Sequence, residues 1–79
     1  MKTKVRLKRK ILKNLGLRVK YFRNLKNISQ ETLALKIGVD RTYIGSIEQG
    51  IKSPSIYCLF IIANALDITL GELLNITIE

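Results

Sequence analysis

The length, composition and charge of the chain exclude several classes of protein. With 79 residues, 47% of them hydrophobic, it makes one small domain whose stability as a monomer is marginal. Its longest apolar run is far short of the roughly 20 residues that span a bilayer. Basic residues continue through Lys13, where a secretory signal would need an apolar stretch. We therefore expect a cytoplasmic protein without a membrane partner.

The sequence offers little for a metal site or for catalysis. Cys58 is the single cysteine and histidine is absent, so the usual zinc spacings and an intramolecular disulfide are impossible. Cys58 is interpreted as a small apolar core or interface residue. Histidine is also the commonest general acid or base, and the carboxylates have local explanations as helix caps or charge partners. The sequence predicts a protein that is not an enzyme and that holds neither a metal nor another cofactor.

The charge is concentrated at the N-terminal end. Residues 1 to 26 contain eleven Lys or Arg and no Asp or Glu, whereas residues 27 to 79 contain three basic and six acidic residues. Such a block attracts polyanions, and DNA, RNA and an anionic membrane surface are all candidates. Residues 1 to 10 are interpreted as a basic N-terminal arm, either a solvated tail or a segment that orders on phosphates. Residues 11 to 79 are then the folded domain.

The first helix is predicted from apolar spacing. Its apolar residues recur at the helical period and predict a helix over residues 11 to 26. Leu7 and Ile11 leave open an extension toward the N-terminus, or a helix lying on a membrane surface. The periodic residues are Leu15, Val19, Phe22 and Leu25.

Capping residues predict a second and a third helix. Ser29 is a suitable N-cap for the second helix, which Gly38 ends by adopting a left-handed conformation. Asp40 is a suitable N-cap for the third helix, which Gly50 ends in the same way.

Two further helices follow from the same kind of signal. Ser53 and Pro54 are predicted as the N-cap and first residue of a fourth helix, since proline there loses no intrahelical hydrogen bond. Thr69 and Glu72 have the spacing of a capping box and begin a fifth helix. Residues 75 to 79 alternate polar and apolar side chains, which leaves open a short strand-like end. The predicted fold class is all-α.

The segment from Gln30 to Gln49 has the pattern of a helix-turn-helix. This motif needs apolar residues toward the core, a small residue where its helices cross and a glycine in its turn. Ala34 is the small residue and Gly38 is the glycine. The apolar residues are Leu33, Ile37, Val39, Ile44 and Ile47. The sequence therefore predicts a DNA-binding unit over about residues 30 to 49.

Six further segments between Leu15 and Leu74 carry a family pattern: residues 18–23 (RVKYFR), 28–34 (ISQETLA), 40–44 (DRTYI), 47–50 (IEQG), 53–55 (SPS) and 62–66 (IANAL). Through them the chain resembles the Cro and repressor family of phage helix-turn-helix proteins, also called the XRE family. The resemblance implies a compact five-helix domain that binds DNA as a two-fold dimer and uses its third helix for recognition. It also implies an ion pair between Arg23 and Glu48.

The DNA contacts follow from placing the third helix in the major groove. Its exposed N-terminal face would read bases through Arg41, Thr42 and Ser46, with Arg41 suited to a bidentate contact with guanine. The chain departs here from restriction-modification controller proteins, which it otherwise resembles, because Gly45 and Ser46 stand in the opposite order. Predicted contacts to the DNA backbone are made by Ser29, Gln30, Tyr43, Gln49, Lys52 and Ser53.

The last two helices, over about residues 56 to 79, carry more apolar residues than one small core can cover. We place the surplus at the two-fold interface of a homodimer, which would set two recognition helices about 34 Å apart on DNA. The interface residues are predicted to be Phe60, Ile61, Ile76 and Ile78.

The predicted function is sequence-specific transcriptional regulation by a dimer on a palindromic or pseudo-palindromic operator in double-stranded DNA. Because the chain leaves no room for an effector domain, a restriction-modification controller or a Cro-like switch is favoured. We expect such a regulator to associate with the nucleoid, and the sequence leaves open a contact with RNA polymerase. One alternative is an antitoxin that binds both its operator and a toxin protein. Another is a basic amphipathic protein acting at membranes, supported by the N-terminal segment alone.

Overall fold

The described residues form five helices, of which the first is long and the other four are short. The computed structural model describes the backbone of residues 2–78 and the side chains of residues 4–78. Within that range the all-α prediction is confirmed, and residues 75–78 form no strand. Met1 and Glu79, the outer ends of the predicted arm and domain, lie outside the described residues. The helices are α1 (Lys2–Leu25), α2 (Gln30–Ile37), α3 (Arg41–Glu48), α4 (Ile56–Ala65) and α5 (Leu70–Leu73).

The first helix is longer than expected. It begins at Lys2 rather than near Ile11, so the described part of the basic arm is the first section of α1. Good helix formers such as Lys, Arg and Leu dominate this section, and no glycine or proline interrupts it before Gly16. No helix of residues 2–78 is both long and apolar enough to cross a membrane.

The predicted caps of α2 and α5 are confirmed. Ser29 Oγ accepts a hydrogen bond from Thr32 N at 3.0 Å, and Gly38 ends α2 with φ of 75°. Thr69 and Glu72 form the reciprocal capping box of α5. Asp40 occupies the N-cap position of α3, but its side chain makes no capping hydrogen bond. Its carboxylate acts there only through the favourable field at a helix N-terminus.

The start of α4 differs from the prediction. Ser55, not Ser53, is the N-cap, and its Oγ accepts from Cys58 N at 3.1 Å. Ile51 N donates to Ser46 O at 2.9 Å, which holds the start of the loop against α3. Ser53 and Pro54 therefore belong to the loop, and α4 begins at Ile56.

The core lies where α1, α2, α3 and α4 meet, with α5 closing one end. On α4, Leu59 and Ile62 are buried, whereas Ile56 and Phe60 are more than half exposed. Cys58 is a buried core residue, as predicted. The remaining core residues are Leu15, Val19, Leu33, Ala34, Ile44, Ile47, Ala63, Leu66 and Leu73.

Polar contacts attach α1 to the C-terminal part of the fold. Arg18 donates to the carbonyl oxygens of Glu72 and Leu73, which caps the end of α5. The same guanidinium lies 5.0 Å from the centre of the Phe22 ring, within cation–π distance. Lys26 pairs with Asp67 in the turn between α4 and α5. These contacts orient α5 against α1.

Candidate nucleic-acid interface

Two short helices joined by a tight turn form the centre of the site. Gly38 takes the positive φ of the turn, and Val39 N donates to Ala34 O at 3.0 Å. Ala34 is 2% exposed, so the two helices approach at a residue with almost no side chain. Ile44 and Ile47 point into the core, which turns the opposite side of α3 outward.

The outward side of α3 and the start of α2 line one shallow depression. Three of its residues are the predicted base readers Arg41, Thr42 and Ser46, and two are the predicted backbone contacts Gln30 and Gln49. Gly45 completes the lining. Arg41 and Thr42 are exposed, whereas Ser46 is half-buried. The fold therefore brings five of the nine predicted DNA contacts onto one surface.

A buried ion pair lies behind this surface. Arg23 Nε is 2.7 Å from Glu48 Oε2 and Arg23 Nη2 is 3.1 Å from Glu48 Oε1, so the pair is bidentate, and both side chains are about nine-tenths buried. Arg23 Nη1 donates to Ile28 O at 2.8 Å. The pair implied by the resemblance is present, and it connects α1 to the last residue of α3 and to the segment before α2.

Gln30 adds a contact that the sequence did not predict. Its side-chain amide donates to Glu48 Oε1 at 3.0 Å. A primary amide carries two hydrogens, so the second is left for a DNA phosphate. No spacing in the sequence indicates this bond, because it depends on how α2 and α3 cross.

The other four predicted backbone contacts lie outside the depression. Ser29 is exposed but uses its hydroxyl to cap α2, and Lys52 and Ser53 are exposed in the loop after α3. Tyr43 is half-buried and packs against the core beside Cys58. Its burial, with the neighbouring thiol, raises the pKa of the Tyr43 phenol above 10.0. A phosphate contact by Tyr43 stays a prediction that this packing does not favour.

Sequence reasoning missed the part played by Gly16. A Cβ atom there would lie 2.5 Å from Glu48 O and 2.7 Å from Glu48 C, so α1 and the end of α3 touch backbone to backbone. A glycine inside a helical pattern was the available signal. At Gly45, by contrast, a Cβ would lie 3.6 Å from Gln30 Oε1, which is ordinary contact. The fold therefore requires glycine at Gly16 and not at Gly45.

The four predicted dimer residues are in different surroundings. Phe60 is 58% exposed beside α5, and Ile61 is half-buried in a groove between α2 and α4. Asn64 lines both places, so Phe60 and Ile61 belong to one face of α4. Ile76 is half-buried against the chain's own core, and Ile78 is half-buried. The exposed apolar surface on this side of the fold is therefore formed by α4 more than by the tail.

A helix pair with an outward-facing second helix, fixed from behind by a buried ion pair, defines a helix-turn-helix DNA-binding protein. The chain belongs to the Helix-turn-helix family, which matches residues 19–73.

Its relatives include controller proteins of restriction-modification systems. Over 57 residues the chain is 42% identical to Control protein C.SmaI of Serratia marcescens, covering 72% of this chain and 68% of that protein. The crystal structure of the restriction-modification controller protein C.AhdI from Aeromonas hydrophila is similar, with a TM-score of 0.76 and 42% identity over 78% of this chain and 94% of that chain. A hypothetical transcription factor, NHTF from Neisseria, has a TM-score of 0.79 and 30% identity over 85% and 77% of the two chains.

Proposed function

We propose that this protein is a dimeric, sequence-specific transcriptional regulator of the restriction-modification controller type, working on DNA in the cytoplasm. One observation carries the proposal: Arg41, Thr42 and Ser46 of α3 share a single surface with Gln30 and Gln49. Guanidinium, hydroxyl and amide groups at this spacing suit base edges in the major groove, with phosphate contacts at either end.

The buried pair behind α3 supports sequence reading rather than loose binding. Base contacts discriminate only when the side chains that make them are held in position. Glu48 is held by Arg23 and by Gln30, so the end of α3 is fixed against α1 and α2. The recognition helix thus presents its side chains in one orientation.

Dimerisation is supported by the exposed face of α4. Ile56, Tyr57 and Phe60 are 62%, 72% and 58% exposed, and the partly buried Ile61 continues the same face. Clustered apolar side chains of this kind mark protein interaction sites. A two-fold axis through this face would give a palindromic operator with half-sites about one helical turn apart. The relatives named above include controllers and no antitoxin, so a toxin partner is not favoured.

The test is selection of binding sites for the full chain from randomised duplex DNA. A palindromic sequence with half-sites about 34 Å apart is expected, and footprinting should show protection in successive major grooves. Run-off transcription on the selected site then separates an activator, which would touch RNA polymerase, from a repressor. A selected pool that binds no better than the starting pool at the same salt concentration would contradict sequence-specific binding.

A further inference from the structure

The N-terminal section of α1 borders a groove beside the loop that follows the recognition helix. Five residues of α1 line it, and Ser53 of the loop forms its other side. The α1 residues are Lys4, Leu7, Lys8, Ile11 and Leu12. The groove is therefore lined by two lysines and by apolar side chains, of which Leu7 and Ile11 are 46% and 40% exposed.

This groove continues the proposed DNA surface. Gln49 lines the depression on α3, and Ser53, four residues later, lines the groove on α1. The intervening loop is fixed: Ile51 N bonds to Ser46 O, and a Cβ at Gly50 would lie 3.0 Å from Lys13 Cα. Loop and α1 are therefore in backbone contact at this point. A duplex bound to Gln49 and Lys52 would therefore lie beside the N-terminal section of α1.

The charges of this section are unfavourable in the free protein. Lys4 and Lys8 are one helical turn apart, as are Arg9 and Lys13, and like charges at this spacing destabilise a helix. Basic side chains at a helix N-terminus also oppose the helix dipole, and the first turn has no acidic residue. Residues 1–26 contain no carboxylate that could compensate. A polyanion bound along this section would remove both penalties.

We propose that residues 4–13 of α1 are a second DNA-binding surface that contacts phosphates outside the base pairs read by α3. The inference rests on the proposed function and adds a contact surface to it. From Leu12 back to Lys4 the helix rises about 12 Å, which equals the rise of three to four nucleotides along the duplex axis at roughly 3.4 Å each. Lysines act there as point charges, so the contacts add affinity without reading sequence.

A membrane surface is the competing partner for a basic helix with apolar residues. Leu7 and Ile11, 46% and 40% exposed, line the groove together with Ser53 of the loop. A helix lying on a membrane inserts its apolar side into the lipid, whereas here that side adjoins the loop that continues the proposed DNA surface. The position of this section beside that surface favours DNA over a lipid surface.

The test compares two double variants of the full chain that lose the same charge. Lys4→Gln/Lys8→Gln removes the groove lysines, and Lys20→Gln/Lys26→Gln removes two exposed lysines that line neither this groove, nor the α3 depression, nor the groove of Ile61. Binding is measured on the selected site alone and on the same site with one helical turn of DNA added at each end. Far-UV circular dichroism checks folding, which the first variant should keep because it relieves the repulsion between Lys4 and Lys8.

We expect wild type and the Lys20/Lys26 variant to bind the longer duplex more tightly, and the Lys4/Lys8 variant to lose that gain. The slope of log K against log salt should become shallower by about 0.9 for each phosphate that the variant no longer neutralises. Equal decreases in affinity in both variants, or no decrease in either, would overturn the proposal. The proposal would also be overturned if the Lys4/Lys8 variant bound DNA as tightly as wild type but no longer floated with phosphatidylserine vesicles. If wild type selects no site at all, the proposed function fails and this inference fails with it.

Discussion

The side-chain amide of Gln30 donates a hydrogen bond to Glu48 Oε1 at 3.0 Å. The first residue of α2 is thereby attached to the last residue of α3, across the helix-turn-helix. The same oxygen accepts from Arg23 Nη2 of α1, so one carboxylate connects three helices. The orientation of the recognition helix depends on this carboxylate.

Replacing the carboxylate should therefore destabilise the whole domain. Glu48→Gln leaves the buried Arg23 without its charge partner, and we expect the free energy of unfolding to fall by about 3 kcal/mol in urea titration. The control is Glu31→Gln on the exposed first turn of α2, which should cost less than about 1 kcal/mol. Similar small decreases in both variants would show that the pair is not structurally important.

Gly16 should not tolerate even a methyl group. Gly16→Ala forces a Cβ against the Glu48 carbonyl, and overpacking of this kind costs about 1–3 kcal/mol. Gly71→Ala is the matched control, because its Cβ would come no closer than 3.8 Å to Thr69 Oγ1. Alanine there should leave stability unchanged or raise it by up to about 1 kcal/mol. Thermal unfolding of the two variants measures the difference, and a Gly16→Ala protein as stable as wild type would refute the close contact.

Arg41 should determine one base pair in each half-site. Arg41→Ala is expected to cost about 1–3 kcal/mol of specific binding and to relax the preference at that position. Arg41→Lys keeps the charge and loses the planar fork, so it should keep the salt dependence while relaxing the same preference. Selection with each variant gives the profiles. If both match the wild-type profile, Arg41 does not read bases.

The dimer prediction can be tested on α4. Phe60→Lys/Ile61→Glu should give a folded monomer in sedimentation velocity and weaken operator binding strongly, because charged side chains would then lie in the interface. Leu25→Lys/Leu35→Glu introduces the same charges at two other exposed apolar residues and should remain dimeric. An undiminished dimer in the first variant would place the interface elsewhere.

The pair between Lys26 and Asp67 should make stability depend on acid pH. The hydrogen bond and charge of Lys26 lower the pKa of Asp67 below 3.8. A lowered folded-state pKa stabilises the protein above pH 3.8, and this contribution disappears as the pH falls through the folded value. Asp67→Asn keeps a residue type that tolerates the φ of 57° at this position. Urea unfolding should separate wild type from the variant at neutral pH and bring them together well below pH 3.8; a constant gap would contradict the pairing.

Local signals predicted the helix-turn-helix well, because they require no knowledge of tertiary contacts. Gly38, Ser29 and the Thr69 capping box act within one turn of chain, and each is found where expected. The choice between Ser53 and Ser55 was not local. Both serines adjoin Pro54 and both are good N-cap residues, so the local sequence does not distinguish them; in the structure Ser55 Oγ accepts from Cys58 N.

Tertiary relationships were predicted only where a family resemblance supplied them. Arg23 and Glu48 are 25 residues apart, and no periodicity pairs them. The bond between Gln30 and Glu48 and the close approach at Gly16 went unpredicted for the same reason: both depend on how helices cross. At the N-terminus, the density of positive charge led residues 1 to 10 to be interpreted as an arm, whereas α1 begins at Lys2.

The backbone contact at Gly16 has a mechanical consequence. With no side chain between α1 and the end of α3, the two helices have no room to slide or tilt against each other. In the proposed dimer each subunit would therefore move as one rigid body that carries both α3 and the basic section of α1. In a dimer on DNA, only rotation about the α4 face or bending of the duplex can change the distance between the two recognition helices. The tolerance of the operator for spacer length is then a property of the subunit interface and not of the residues that read bases.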